Sequence, residues 1–369
     1  MKKIIISILI ISIIFLSTSV VKAQVQVLPP KQETLEAIIF KVIEEKDIQP
    51  RGQQNWQLYQ KLELLITKGS IRNKKIIIEN GLLPMANIQK YSKGEKVMVS
   101  FSKDYKGNDN FYISDYMRHD ALILLFIIFI ALTIYIAKWR GISSLLGMGL
   151  SFLVIFFYIL PNILSGTNPV QVAIIGSFII VPLSFYFSHG FNRKTTVAVL
   201  GTIIALVITG LLANFFIQMA KLTGFASEEA SFLQITKQGV IDMKGLLLAG
   251  IIIGALGVLD DITISQSAIV FQLKEVNSKL KFDDLYKRAM NIGQDHISSM
   301  VNTLILVYTG AALPLLLLFI NNPHPFSEII NYEIIADEII RTLVGSIGLI
   351  LAVPLTTFIA SLVVKDSRQ

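Results

Sequence analysis

The chain contains no cysteine, which removes disulfides, thiolate metal sites and cysteine nucleophiles together. It is also poor in charge. Only 16% of its 369 residues are Asp, Glu, Lys or Arg, against about 25% in soluble globular domains. No Gly-rich phosphate loop ending in Gly-Lys-Ser/Thr occurs, so ATP is not the direct source of energy. His-Glu-x-x-His and Gly-x-Ser-x-Gly are missing too, and with them the usual zinc and serine hydrolase nucleophiles. What is plentiful is apolar: 53% of residues are hydrophobic, and beyond about position 120 they gather into runs near 20 residues long. Runs of that length exclude a soluble enzyme, a disordered chain and a coiled coil, and they predict a multi-spanning α-helical membrane protein. The net charge of +7 is then a matter of topology rather than of nucleic acid, which is not an expected partner.

Lys2 and Lys3 precede an apolar run from Ile4 to Leu16, followed by Ser17, Thr18, Ser19 and Val21-Lys22-Ala23. This pattern predicts a secretory signal peptide over 1–23, cleaved after Ala23, with an uncleaved signal anchor as the alternative. Residues 24–118 are ordinarily polar and carry a net charge of +4. Five short runs rich in β-branched and aromatic residues recur there: Ala37–Ile43, Trp56–Thr67, Lys74–Ile78, Lys96–Phe101 and Phe111–Tyr116. Turn residues separate them, among them Lys68-Gly69-Ser70 and Asn80-Gly81. The expectation is a small extracytoplasmic β-rich barrel, OB-like in size, that either binds an envelope partner or serves as a spacer.

Seven transmembrane helices are expected within 119–369, at Ala121–Ala137, Ile142–Leu160, Val170–Ser188, Thr195–Met219, Leu246–Leu273, Ser299–Ile320 and Thr342–Val364. With the N-terminal domain outside, the inner loops and tail hold 11 basic residues and the outer loops only Lys221, Lys237, Lys244 and Arg341. That asymmetry predicts a cytoplasmic C-terminus in the cell membrane. Pro182, Pro314 and Pro354 are candidate kinks. Gln171, Asn214, Gln218, Thr356 and Thr357 are candidate interhelical hydrogen-bonders.

The fifth span is the informative one. Spacings of four, three and four put Gly250, Gly254, Gly257 and Asp261 on one helical face, a pattern expected at a close helix–helix seam. Asp260 and Asp261 lie side by side in the same apolar run. A carboxylate there costs about 2.5–3.5 kcal/mol even on the insertion scale, so a pair is poised to take up and release a proton or cation. The competing reading places both at the inner interface, where they cap a second half-helix starting at Ile262. At 29 residues, Gly245 to Leu273 is longer than a bilayer core requires, which favours a break near the aspartates. Further on, Asp295, Asn302 and Thr309 share seven-residue spacing, as do His296 and Thr303. Asn302 and Thr303 are expected to complete a site with the aspartates, and Asp295 and His296 to lie at the interface. Asp261, on the glycine face, is expected to be the more sensitive carboxylate.

Three segments carry a resemblance: Gly254-Ala-Leu-Gly-Val-Leu-Asp-Asp-Ile-Thr-Ile-Ser-Gln-Ser-Ala, Arg288-Ala-Met-Asn-Ile-Gly-Gln-Asp295, and Met300-Val-Asn-Thr-Leu-Ile-Leu-Val-Tyr-Thr-Gly-Ala-Ala-Leu-Pro314-Leu-Leu. In these the chain resembles the YibE/F family of bacterial membrane proteins over about 120–369. The resemblance implies a multi-spanning membrane protein and brings no settled activity. A Gly-rich outer half followed by Asp-Asp is also similar to the RND efflux pumps and SecD/SecF. There, acidic residues at the place of Asp260 and Asp261 serve proton-driven transport. This chain departs from them in having no Lys within a span, a small external domain and extra helices.

Three functional classes follow. The first is an ion- or proton-coupled secondary transporter of a small solute, with Asp260 and Asp261 as relay and no cofactor or resident metal. The second is a non-catalytic membrane subunit or scaffold, with an envelope protein or a second copy of itself as partner. The third is an intramembrane aspartyl enzyme. It is the weakest, since Gly257-Val-Leu-Asp260 replaces Gly-x-Gly-Asp and Asp295 sits too near the boundary. The chain is therefore not expected to be an enzyme.

Overall fold

The computed structural model describes residues 32–365 except 51–54, 85–87, 104–106, 238 and 321–323. The signal-peptide reading of 1–23 lies outside the described residues.

Two compact units divide the chain, with the boundary at Ala131/Leu132. The first is built on five strands, β1 (Glu33–Ile48), β2 (Gln57–Lys68), β3 (Lys75–Asn80), β4 (Lys96–Lys103) and β5 (Asp109–Tyr116). All five expected strands are present, most extended by a few residues. They pair antiparallel in the order β3-β2-β1-β4-β5. β1 is long enough to pair with both β2 and β4, and register shifts along it curl the sheet. The edge strands β3 and β5 thereby come into contact without a ladder between them, which makes a partly open half-barrel. Its core follows from period-two alternation: Leu35, Ala37 and Ile39 face Leu62, Leu64 and Ile66, with Val97 and Val99, all without solvent exposure. Gly81 ends β3 at φ +82, and a Cβ there would lie 2.0 Å from the Leu58 carbonyl oxygen, so only glycine fits.

Gln60 is the fully buried polar residue of β2. Its amide nitrogen donates to the Tyr91 carbonyl and to Glu45 Oε2, both at 2.9 Å, and its oxygen accepts from the Tyr91 N–H at 2.8 Å. Burial of Tyr91 itself pushes its phenol up to about 12. Gln60→Leu would leave a buried N–H and C=O unpaired. Each such group costs about 1–3 kcal/mol, so limited proteolysis should cut the half-barrel faster in this variant than in the wild type.

The described helices are α1 (His119–Val154), within which the unit boundary falls, a π-turn (Ile155–Ile159) running into α2 (Leu160–Leu164), α3 (Pro169–His189), α4 (Arg193–Met219), the short α5 (Glu228–Thr236), α6 (Met243–Val276), α7 (Phe282–Ala311), α8 (Leu313–Ile320), α9 (Phe326–Ile329) and α10 (Glu333–Lys365). Among the described residues five helices are long and apolar enough to cross a membrane, and six if the bent pair α7–α8 is one span. The count differs from seven because the first two expected spans form one run, His119–Leu164. That run is not straight. Lys138 lies outside helical space (φ 53, ψ −130), in the gap between the two expected spans. At 1.5 Å per residue its 46 residues would reach about twice the roughly 30 Å core, and each side of the break is long enough to cross. The most apolar stretch of the run has mean hydropathy 2.6 and is unburied, a surface too large to leave in water.

Two expectations about helix shape separate here. Pro314 does sit at a sharp bend, 69° between α7 and α8. Pro182 and Pro354 stay inside continuous helices. The expected break near Asp260 does not occur, because α6 is one helix from Met243 to Val276. Its surplus length runs on past the N-terminal end of α4 instead, where Ser267 Oγ donates to the Lys194 carbonyl at 2.8 Å.

α6 is the hub and packs against α3, α4, α7 and α10. The tightest small-residue seam lies elsewhere, between α4 and α10. A Cβ on Gly201 would lie 2.4 Å from Thr356 Oγ1, and one on Gly348 would lie 2.1 Å from Thr209 Oγ1. Ala205 and Ala352 are fully buried midway. Gly-x3-Ala-x3-Thr on one helix thus meets the same pattern running antiparallel on the other, so each glycine receives a threonine. The expected seam at Gly250, Gly254 and Gly257 is corrected accordingly. All three are exposed. A Cβ on Gly250 or Gly257 would meet nothing within 4 Å, and one on Gly254 only the Tyr308 hydroxyl at 3.6 Å. Spacing gives the face on which the glycines lie, and does not say which face of the hub helix meets a neighbour.

Candidate functional site

Asp260 stands in the middle of α6, and its surroundings are built by three helices. On α1, Ser144, Met148 and Ser151 follow one another at spacings of four and three, with Ile155 a further turn on, so they share a face. Gly147 brings that face close to α3: a Cβ there would lie 2.9 Å from Ser188 Oγ and 3.3 Å from the Ser184 carbonyl oxygen. On α3, Ser184 and Ser188 lie one turn apart, with His189 at the helix end. These side chains and the two α6 aspartates line a cavity of about 320 Å³. Ser184 Oγ donates to Asp260 Oδ2 at 3.4 Å. Asp260 is half-buried and Asp261 exposed. Seven residues separate Asp260 from Ser267, which sits level with the first turn of α4, so the carboxylate lies about 10 Å inward from that end. It belongs to the continuous ladder of α6 and does not cap a second half-helix.

The C-terminal half of α6 continues the polar column. Thr263 and Thr202 of α4 share a hydrogen bond of 2.6 Å, and Gln266 Nε2 donates to Thr357 Oγ1 of α10 and to the Ala289 carbonyl of α7. All four polar side chains are fully buried. This cluster ties α4, α7 and α10 to the hub and so holds the helix that carries the aspartates.

Asn302 and Thr303, expected to complete the aspartate site, are not among the cavity lining. Both are exposed on α7, and the Thr303 hydroxyl bonds back to the Ser299 carbonyl of its own helix. Asp295 is exposed, and His296 is half-buried with Nδ1 unpartnered. Of the expected interhelical bonders Thr357 is one, whereas Asn214 and Gln218 bond each other along α4. Four serines and His189 were missed by the sequence reading. Hydroxyl pairs at helical spacing within apolar runs are the signal that would have found them. Among the described residues no three His, Asp or Glu side chains come together as a metal site.

The site thus offers two adjacent carboxylates, several hydroxyls and an imidazole in a space large enough for several water molecules. Compared with known proteins, the chain matches the family described as YibE/F-like protein over residues 125–366, a stretch that takes in the whole of this site. No curated protein and no solved structure matches it.

Proposed function

The chain belongs to the YibE/F-like family, and from that premise we propose that it is an ion- or proton-coupled secondary transporter in which Asp260 and Asp261 relay the coupling ion. One observation carries the reading: an adjacent carboxylate pair halfway along an apolar helix opens onto a cavity walled by hydroxyls and an imidazole. Carboxylates at such depth are expensive and mark ion or proton pathways. Ser184, Ser188 and His189 supply the donors and acceptors through which water can pass a proton to Asp260. Purified protein in proteoliposomes should dissipate an imposed proton or sodium gradient. A gradient that decays no faster than in empty vesicles for either ion would refute the reading.

The same proposal sets a topology in the cell membrane, with the half-barrel outside and the α6–α7 turn in the cytoplasm. The absence of cysteine makes the test clean. In intact cells a thiol placed by Lys106→Cys should react with an impermeant reagent, and one placed by Lys281→Cys should not. The reverse pattern would invert the topology.

A second reading, a membrane subunit whose external domain binds an envelope partner, draws on one end of the half-barrel. There Gln57 Nε2 donates to the Gly81 and Leu83 carbonyls, holding Leu82 and Leu83 beside the start of β2, next to Trp56. All three are exposed, Leu83 at 72% and Trp56 at 69%. Co-purification of a partner that Trp56→Ala abolishes would favour this reading.

A further inference from the structure

A second and larger cavity, of about 640 Å³, lies at the N-terminal end of α6. It lies between the bend at Pro314, the start of α6 and the first turns of α10. Its walls are largely apolar, with Leu246, Leu247, Tyr308 and Leu315 contributing. One wall is charged. Asp337, Glu338 and Arg341 project from α10, and Arg341 pairs with Asp337 Oδ2 at 3.1 Å and with Glu338 at 3.4 Å.

These pairs leave one acceptor and one donor over. Asp337 is only 8% exposed, and its Oδ1 has no hydrogen-bond partner. Arg341 Nε, one helical turn away, is likewise buried without a partner. Buried polar atoms of this kind are costly, the more so when charged. Both residues line the cavity, and the terminal torsion of an aspartate is broad, so rotation of the carboxylate can exchange the oxygen that faces it. The two demands are opposite in kind: Oδ1 needs a donor and Nε needs an acceptor. A ligand carrying an ammonium and a carboxylate on neighbouring atoms meets both, and the apolar wall then receives its side chain. We propose that this cavity binds a small zwitterion of the α-amino acid class with an apolar side chain, its ammonium on Asp337 and its carboxylate on Arg341. Gly250, on the facing wall, leaves the room for it.

Binding at equilibrium requires no gradient, so the test is independent of the relay proposed for Asp260 and Asp261. Leucine is titrated against the detergent-solubilised full chain by calorimetry. Two controls share its carbon skeleton, isoamylamine without the carboxylate and 4-methylpentanoate without the ammonium. Leucine should bind saturably and each control about tenfold more weakly or worse, as expected when one charge-assisted hydrogen bond is lost. Asp337→Asn should weaken leucine by about the same factor. Should that variant fail to fold, Gly250→Leu serves instead. Its side chain enters open space rather than a packed wall, and it should abolish binding by filling the cavity. Absence of saturable leucine binding would overturn the proposal. So would equal binding of isoamylamine, which would mark a simple cation site, or unaltered affinity in Gly250→Leu.

Discussion

Asp260→Asn should abolish ion-coupled flux in proteoliposomes while leaving membrane abundance and folding intact. The carboxylate is half-buried and accepts a hydrogen bond from Ser184 at 3.4 Å, and an asparagine oxygen can accept that bond equally well. What the substitution removes is titration. Loss of a positioned proton-transfer group costs about a hundredfold or more in rate, enough to drop flux to background. The amide also relieves the cost of a charge in the bundle, so the variant should melt no lower than the wild type. A capping role would predict the same folding and unimpaired flux, since Asn caps about as well as Asp. The continuity of α6 already argues against a cap, because backbone groups around Asp260 belong to the helical ladder. Asp261→Asn should have the smaller effect. That residue is exposed, and the glycine face on which it lies is open rather than packed. Full flux in both asparagine variants, at wild-type abundance, would remove the aspartates from the mechanism.

Gly348→Leu should cause loss of the folded protein, and Gly348→Ala a clear fall in thermal stability in detergent. Even a single Cβ would lie 2.1 Å from Thr209 Oγ1 and 3.1 Å from Thr209 Cβ. Thr209 cannot easily retreat. It is fully buried, and its hydroxyl donates to the Ala205 carbonyl at 2.7 Å. Overpacking of this kind costs about 1–3 kcal/mol, and Gly201→Ala, against Thr356, should behave alike. Adding Thr209→Ala to Gly348→Ala should restore part of the loss, since the two changes act on one contact and should not be additive. The contrasting variant is Gly257→Ala. Its Cβ enters empty space, and exchanging Gly for Ala in a helix is worth up to about 1 kcal/mol in its favour. A melting profile unchanged by Gly348→Leu, or lowered by Gly257→Ala, would return the seam to the glycine face of α6.

The paired results show where sequence pattern stops being informative. Gly250, Gly254 and Gly257 form the more conspicuous motif, yet Gly250 and Gly257 face open space and Gly254 meets only the Tyr308 hydroxyl. Gly201 and Gly348 are less conspicuous, each a single glycine four residues ahead of an alanine, and they make the close contact. A small-residue pattern states that a backbone can approach. Only the position of the neighbouring helix states that one does. The same reason explains Asn302 and Thr303. Their spacing set them on a polar stripe of α7, but both are exposed and neither lines the cavity at Asp260.

The sequence by itself determined the membrane class, the five strands, the family and the two carboxylates that have no apolar reason to be in α6. These depend on local quantities: run length, alternation, turn residues and the cost of charge in hydrocarbon. The tertiary structure alone decided the continuity of α6, the α4–α10 seam and the serine and imidazole groups around Asp260. It also decided the paired orphan atoms of Asp337 and Arg341 beside the Pro314 bend. Each of these depends on how helices distant in the chain are rotated and set against one another. In a span that is apolar on every face, hydrophobic periodicity carries almost no record of that rotation.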